Sequence, residues 1–371
     1  MSAYRALKIS DIHMSNTLPH AKQVNAFGVT DRLADQLALW GRVYRAAERA
    51  QCEAIYILGD LFDHSRTDAI TLTETFRILS KAPVPLFVVP GNHDGVNTRG
   101  ERFTVEALAE IEGCTYMQTG EPYCPRPWLT FWPMEFSPIE KTRAALKAMK
   151  PSGDGVNVLL MHNSIVGCTH GGWTCEEGHG LEAAELTEAF DYVYSGHFHD
   201  PQVFGRGGKG RYLGAPMHHR FDDIGRKAGF WVVEYRESGA RKEVFVDGAA
   251  PRFHVLDFGD GAELDARRGD YVRVRVRCTH AELIKQKEAA ELQVEALTAK
   301  GLRANWVHDP VYHHTTRIVS KKSGKVEVLP PRKMVSGYVE AVEVDTTGLD
   351  RKALKQLGRD IFAAVEGQWR G

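Results

Sequence analysis

The sequence predicts an α/β protein with a layered core, and three observations predict it. Short β-rich apolar runs alternate with stretches of helical periodicity through the first two thirds of the 371-residue chain. Five short polar motifs each follow directly on a strand-like apolar run. A change of pattern near Ala249 to Pro251 then marks a smaller appended segment.

The elements follow in order. Leu7 to Ser10 reads as a short strand ending at Asp11. Leu33, Leu37, Trp40, Tyr44 and Ala47 recur at three- and four-residue steps, the spacing of one face of a helix. Ala54 to Leu58 reads as a second strand, Ile70 to Leu79 as a helix and Leu86 to Val89 as a third strand. Later apolar runs are Val156 to Met161, Tyr192 to Tyr194 and Phe230 to Val233. Past residue 250, Val272, Val274 and Val276 alternate with Arg273, Arg275 and Arg277, the mark of a half-buried strand with one basic face. Helix formers from Ala281 to Lys300 and a return strand at Ala304 to Val307 complete a β-α-β piece too short to be a catalytic domain. Lys321 to Lys325 and Pro330-Pro331 read as a linker, and Asp350 to Val365 as a final amphipathic helix.

Composition narrows the class without naming a substrate. The formal net charge is -1, so no overall positive field advertises nucleic-acid binding, although local basic patches could still serve it. No apolar run approaches the roughly 18 residues of a membrane span, and Met1 to Ser10 lacks the pattern of a secretory signal. The expectation is a cytoplasmic chain with no membrane partner. Its six cysteines are scattered, without a CxxC pair, and are expected to be reduced thiols.

The five motifs are Asp11-Ile12-His13, Gly59-Asp60-Leu61-Phe62-Asp63, Gly91-Asn92-His93-Asp94, His162-Asn163 and Gly196-His197-Phe198-His199. Functional side chains of open α/β sheets gather where strands end. A one-residue spacer on extended backbone points both flanking side chains the same way, which suits DxH and HxH to metal binding. Carboxylate, imidazole and amide oxygen together favour a divalent ion of intermediate hardness such as manganese, iron or zinc. Seven candidate ligands are too many for one ion and suit two that share a carboxylate. Such a pair, about 3.5–4 Å apart, clamps the attacking and leaving oxygens of an in-line phosphoryl displacement.

In that order, these motifs resemble the calcineurin-like metallophosphoesterase superfamily over about Ala6 to Val246. GDLFD followed by GNHD, Tyr212-Leu213-Gly214-Ala215-Pro216 after GHFH, and the stretch from Phe221 to Glu234 are similar to SbcD-type DNA-repair nuclease subunits. The resemblance implies a four-layer α/β/β/α sandwich over residues 1–250. It further implies a small α/β DNA-capping domain at 251–330 and a C-terminal tail at 331–371 that could contact an ATPase partner. It implies a first ion on Asp11, His13, Asp60 and His199, and a second on Asp60, Asn92, His162 and His197. Manganese is the leading candidate, with magnesium, iron or zinc as alternatives. His93 would protonate the leaving oxygen rather than bind metal, oriented by Asp63 or by the neighbouring His64, with Asp63 favoured. Asp94 is expected to hold a turn. DNA, a coiled-coil SMC-like ATPase subunit and a second copy of the chain are the implied partners.

Rival readings share parts of this pattern. A small-molecule or cyclic-nucleotide phosphodiesterase would use the same metal chemistry, so the ligands cannot choose between them. A non-catalytic scaffold would usually have lost a ligand or the acid histidine, and none is lost here. The basic face of Arg273, Arg275 and Arg277 is either an ordinary solvated face or a phosphate-contacting row. Cys168, His170, Cys175 and His179 could imitate a zinc site, but their irregular spacing favours a loop near the active site.

Overall fold

The computed structural model describes residues 3–21, 24–97, 101–151, 153–260 and 264–310, with 318–319, 326–327 and 356. The chain opens with β1 (Ala3–Ile9), α1 (Asp31–Arg49), β2 (Ala54–Leu58), α2 (Ala69–Leu79), β3 (Leu86–Val89) and β4 (Cys114–Tyr116). It continues with β5 (Tyr123–Arg126), β6 (Leu129–Met134), α3 (Ile139–Ala148) and β7 (Val156–His162). A hairpin of β8 (Thr169–His170) and β9 (Trp173–Thr174) precedes α4 (Ala183–Ala189) and β10 (Tyr192–Gly196). Then come β11 (Gln202–Phe204), β12 (Gly210–Tyr212), β13 (Gly229–Arg236) and β14 (Arg241–Asp247). The segment past residue 250 holds β15 (Phe253–Asp257), β16 (Tyr271–Cys278), α5 (His280–Ala299) and β17 (Arg303–Pro310).

Two six-stranded sheets carry the fold, ordered β14-β13-β1-β2-β3-β4 and β11-β12-β10-β7-β6-β5. The period-two alternation of side chains assigns the layers. On β1, β2 and β3, Leu7, Ile9, Ile55, Ile57, Leu86 and Val88 join Leu33, Trp40 and Val43 of α1. Their alternate neighbours Tyr4, Ala6, Tyr56, Leu58, Phe87 and Val89 meet Val158 and Leu160 of β7 between the sheets. Leu159 and Met161, on the other face of β7, pack with Leu186 of α4. The order is helix, sheet, sheet, helix, the four-layer sandwich that the resemblance implied. Central β2 is buried along its whole length, as a parallel strand covered on both faces must be.

The helices begin where side chains satisfy their free amides. Thr30 Oγ accepts from Leu33 N at 3.3 Å to cap α1, and Asp68 accepts from Ile70 N and Thr71 N, both at 3.0 Å, to cap α2. The buried stripe of α1 runs through Leu33, Leu39, Trp40, Val43 and Ala47, with Leu37 and Tyr44 at its border. The predicted stripe is thus rotated slightly.

Contacts group Met1–Val276 with Gln286–Val307 as one unit, and Arg277–Lys285 with His308–Gly371 as another. In the first unit, β15 pairs in parallel with β16, and Leu256, Val272, Val274, Leu297, Leu302 and Ala304 form a small core of their own. Strand β15 was not anticipated. In the second, Arg277 Nε lies 3.0 Å from Asp309 Oδ2, and Ile318–Val319 pairs with Val326–Glu327. The predicted linker and, apart from Gln356, the predicted final helix lie outside the described residues. Among the described residues no helix is long and apolar enough to cross a membrane.

Candidate metal centre

The parallel strands of both sheets deliver the polar motifs to one place. Asp11 and His13 follow β1, Asp60 follows β2, Asn92 and His93 follow β3, His162 ends β7, and His197 and His199 follow β10. The loops after β1 and β2 are joined by amide-to-carbonyl bonds from Asp11 to Gly59 and from His13 to Asp60, each 3.0 Å. Asp11, His13, Asp60 and His197 all have positive φ, between 50° and 95°. That region costs an ordinary residue on the order of 1–3 kcal/mol and persists where the surroundings over-determine it. Glycine solves the remaining crowding. A Cβ at Gly59 would stand 2.1 Å from His162 Nδ1, and one at Gly91 would stand 2.2 Å from Asp60 Oδ1.

Asp11, His13 and His199 form one triplet whose ligand atoms lie within 4.8 Å of one another, and Asp60, His162 and His197 form a second. Asp60 Oδ2 stands 3.1 Å from His162 Nε2 and 3.8 Å from His13 Nε2, so this carboxylate faces both groups. Asn92 Oδ1 joins the second group, 3.1 Å from His162 Nε2 and 2.9 Å from His197 Nδ1. His13, Asp60 and His93 form a third overlapping triplet. All seven predicted ligands are therefore brought together.

The electrostatics suit divalent cations. Burial opposes the charge on Asp60, yet His162 and His13 hold its carboxyl well below the usual range. Burial likewise works against a charged His162, but the Asp60 carboxylate pushes its pKa up to about 9. His197 is pushed down to about 3 by burial and by His162, and burial with His13 holds His199 well below its ordinary value. Neutral imidazole is the metal-binding form. His13 Nε2 and His199 Nε2 stand 3.3 Å apart, a convergence of ring nitrogens that a shared cation would satisfy. His162 Nδ1 donates to the Leu58 carbonyl at 2.9 Å, so Nε2 is the atom that meets Asp60 and that would exchange its proton for a cation. The donor set, imidazoles with carboxylate and amide oxygens, fits manganese, iron or zinc.

Three expectations need correction or refinement. The Asp63 carboxylate does not touch His93. Its Oδ1 lies 3.3 Å from His13 Nδ1 and its Oδ2 lies 3.1 Å from His64 Nε2, while the Asp63 backbone carbonyl accepts from His93 Nδ1 at 2.6 Å. His93 also donates its amide to Asp60 Oδ1 at 2.8 Å. The proposed phosphate-contacting row is engaged internally. Arg275 makes a two-pronged pair with Asp257 at 2.6 and 3.0 Å, Arg277 pairs with Asp309, and the Arg273 guanidinium lies 3.8 Å from the Phe221 ring centre. Cys168 and Cys175 are buried in an apolar cluster, and His170 turns instead to His199, one of the candidate metal ligands. Asp94 holds its turn as expected, accepting from Gly91 N and Phe62 N at 2.9 and 3.0 Å.

Two supporting residues, His219 and Gln36, escaped the sequence reading, and a third, His170, was read only as part of a loop near the site. Buried His219 donates from Nε2 to the Asp11 carbonyl at 2.9 Å, and its ring packs edge-on against His13 and His199. Gln36 of α1 donates to the carbonyls of Ile12 and His13 at 3.0 and 2.6 Å. His170 accepts from His199 N at 3.4 Å. The paired His218-His219 just beyond the YLGAP element was the one local signal available.

Residues 4–201 match the family model described as calcineurin-like phosphoesterase. The DNA double-strand break repair protein Mre11 of Sulfurisphaera tokodaii is 24% identical over 213 residues, 55% of this chain and 51% of that protein. The chain thus spans about half the length of that relative. Among solved structures, a dimetal phosphatase from Danio rerio is 10% identical, covers 62% of this chain and 92% of its own, and has a TM-score of 0.40. A purple acid phosphatase from yellow lupin seeds is 12% identical, covers 67% of this chain and 52% of its own, and has a TM-score of 0.41.

Proposed function

The chain belongs to the calcineurin-like phosphoesterases, and on that premise we propose that it is a two-metal nuclease that hydrolyses DNA phosphodiester bonds. The observation that carries the proposal is the convergence of two ligand triplets around one carboxylate, Asp60. Asp11, His13 and His199 would hold one ion with Asp60, and Asn92, His162 and His197 would hold the other with it. Bound there, the ions would supply Lewis acidity toward phosphate and activate water near neutral pH.

The chain's own groups do the rest. His93 keeps its Nδ1 proton on the Asp63 carbonyl, so Nε2 is the atom left to carry a proton to the leaving oxygen. Gln36 and His219 fix the loop that bears Asp11 and His13. Polynucleotide as substrate is supported by the similarity to a protein named for DNA double-strand break repair, and by the GDLFD and YLGAP elements. The resemblance of these elements to SbcD-type subunits implies residues 251–330 as a DNA-capping segment, a coiled-coil ATPase subunit and a second copy of the chain as partners, and manganese as the working ion. The cytoplasm as the site of action is part of the same proposal.

Manganese-supplemented digestion of linear duplex, hairpin and single-stranded DNA, beside a small phosphodiester, tests the reading. Cleavage of at least one DNA form is expected. His93→Ala should abolish cleavage and leave manganese content nearly intact. Equal metal loss in that variant would make His93 a ligand and overturn its role as the acid.

A further inference from the structure

The β8–β9 hairpin is built beside the metal centre and carries a half-exposed tryptophan that the chemistry above does not use. Its turn, Gly171-Gly172, has φ of 58° and 82°, the paired positive values that a two-residue hairpin turn requires. Its base is held in two ways. Cys168 and Cys175 are buried with Ile165, Leu181 and Phe198, and the Gln202 side chain accepts from Thr169 N at 2.9 Å and donates to Thr169 O at 2.7 Å. His170 and Trp173 are directly opposed across the hairpin, so their side chains leave it on the same face.

That face meets the GHFH motif. The His170 ring stacks on Phe198 at 5.6 Å and stands edge-on to His199 at 5.1 Å. The Trp173 ring stands edge-on to Phe198 at 6.2 Å, and Phe198 stacks on His197 at 5.2 Å. A line of aromatic rings therefore runs from two metal-ligand candidates outward to Trp173. Phe198 is 3% exposed, whereas Trp173 is 48% exposed. A large apolar ring left open at the end of this line of rings suits a ligand that offers a flat π-face next to a phosphate. A nucleobase does so, and stacking on an aromatic side chain tolerates any base.

We propose that Trp173 is the base-stacking platform of this enzyme, receiving a nucleobase adjacent to the scissile phosphate, with His170 positioning both the hairpin and the His199 backbone. The inference rests on the nuclease reading and sharpens it. It makes an unstacked base, as in single-stranded or frayed DNA, the preferred substrate class next to the cut.

The test compares the full chain with Trp173→Ala and Trp173→Phe, each loaded with manganese. The substrates are a single-stranded oligodeoxynucleotide and an all-abasic strand of the same length. On the base-bearing strand, Trp173→Ala should raise KM about 5- to 100-fold while kcat stays within about twofold. On the abasic strand its KM should match the wild type, and Trp173→Phe should recover most of the loss. An equal KM increase on both strands, no increase on either, or loss of bound manganese in Trp173→Ala would overturn the stacking role. If the wild type hydrolyses bis(p-nitrophenyl) phosphate but no polynucleotide, the nuclease reading falls and stacking falls with it. Normal DNA cleavage by an unimpaired Trp173→Ala would remove stacking alone.

Discussion

Asp63 illustrates how much one carboxylate can decide. Its side chain lies against His13 Nδ1, and only its backbone reaches His93. A carboxylate behind a metal-binding imidazole fixes the ring and raises its basicity, and removing such a partner typically costs about 10–100-fold in metal affinity. Asp63→Ala should therefore weaken manganese binding by about that factor in titration calorimetry. Unchanged affinity with a lowered kcat would instead return Asp63 to the service of His93. Lys8 offers a second residue-scale prediction. It is wholly buried between the sheets, with Nζ unbonded and 4.2 to 5.6 Å from the ring centres of Tyr194, Phe131, Tyr56 and Tyr235. Burial lowers its pKa well below the ordinary 10.5. Between those two values the unfolded chain binds the proton more readily than the folded one, so Lys8 opposes folding at neutral pH and that opposition fades as pH rises toward 10.5. Lys8→Met should stabilise by about 1–3 kcal/mol at pH 7 and by less at pH 10, read from urea midpoints. A gain independent of pH would rule out the titration. At this scale the seven candidate ligands, which the structure brings together, were legible because each sits beside a strand end in a short motif. The roles of Asp63, His170 and His219 were not, since each depends on a tertiary neighbour that no local spacing encodes.

Helix α1 joins the support of the loop that bears Asp11 and His13 to the attachment of residues past 250. One stretch of it, Asp31 to Gln36, has two tasks: Gln36 holds the loop bearing His13, and Asp31, Arg32 and Asp35 face residues past 250. Gln36 is fully buried, and its amide also accepts from Ser15 N at 3.1 Å. Gln36→Ala would strand two carbonyls and an amide away from water, at about 1–3 kcal/mol each before relaxation. The expected outcome is a loss of about 2–5 kcal/mol in chemical denaturation together with weaker manganese binding. Loss of stability with full metal affinity would show that α1 supports the core but not the loop that bears the candidate ligands Asp11 and His13. Helix α1, with its strong periodicity, and strands β2 and β7, with their continuous apolar runs, were plain in the sequence. Strands β4, β5, β11 and β12 were not, because they span three or four residues at or near sheet edges and carry no readable alternation.

At the scale of the folded unit, the question is what holds the β15–β16 strands and Arg303 of β17 to the catalytic sandwich. A clamp does so. Arg303 grips Asp35 through both Nη atoms, its Nε stands 3.5 Å from Asp31 Oδ2, and Tyr271 donates its hydroxyl to Asp35 Oδ2 at 3.0 Å. Beside it the fully buried Arg32 guanidinium lies 5.1 and 5.3 Å from the rings of Tyr271 and Phe253, and donates to the His218 carbonyl at 2.9 Å. The sequence showed a β-α-β segment but no sign of this attachment, since Asp35 and Arg303 are separated by 268 positions. A largely buried, hydrogen-bonded ion pair adds little over an apolar contact, yet breaking one side of it strands the other charge. Arg303→Ala should therefore cost about 2–4 kcal/mol, and the Asp35→Ala, Arg303→Ala double variant should cost less than the two singles combined. Local loosening follows from the same reasoning. In the Arg303→Ala variant, amide exchange along β15 should accelerate toward a sub-global opening, while β1, β2 and β7 keep the protection of the global fold. Equal acceleration in all of these strands would mean that β15 unfolds only with the sandwich. The small core of Leu256, Val274 and Leu302 would then be part of one cooperative unit with the metal centre rather than a segment clamped onto it.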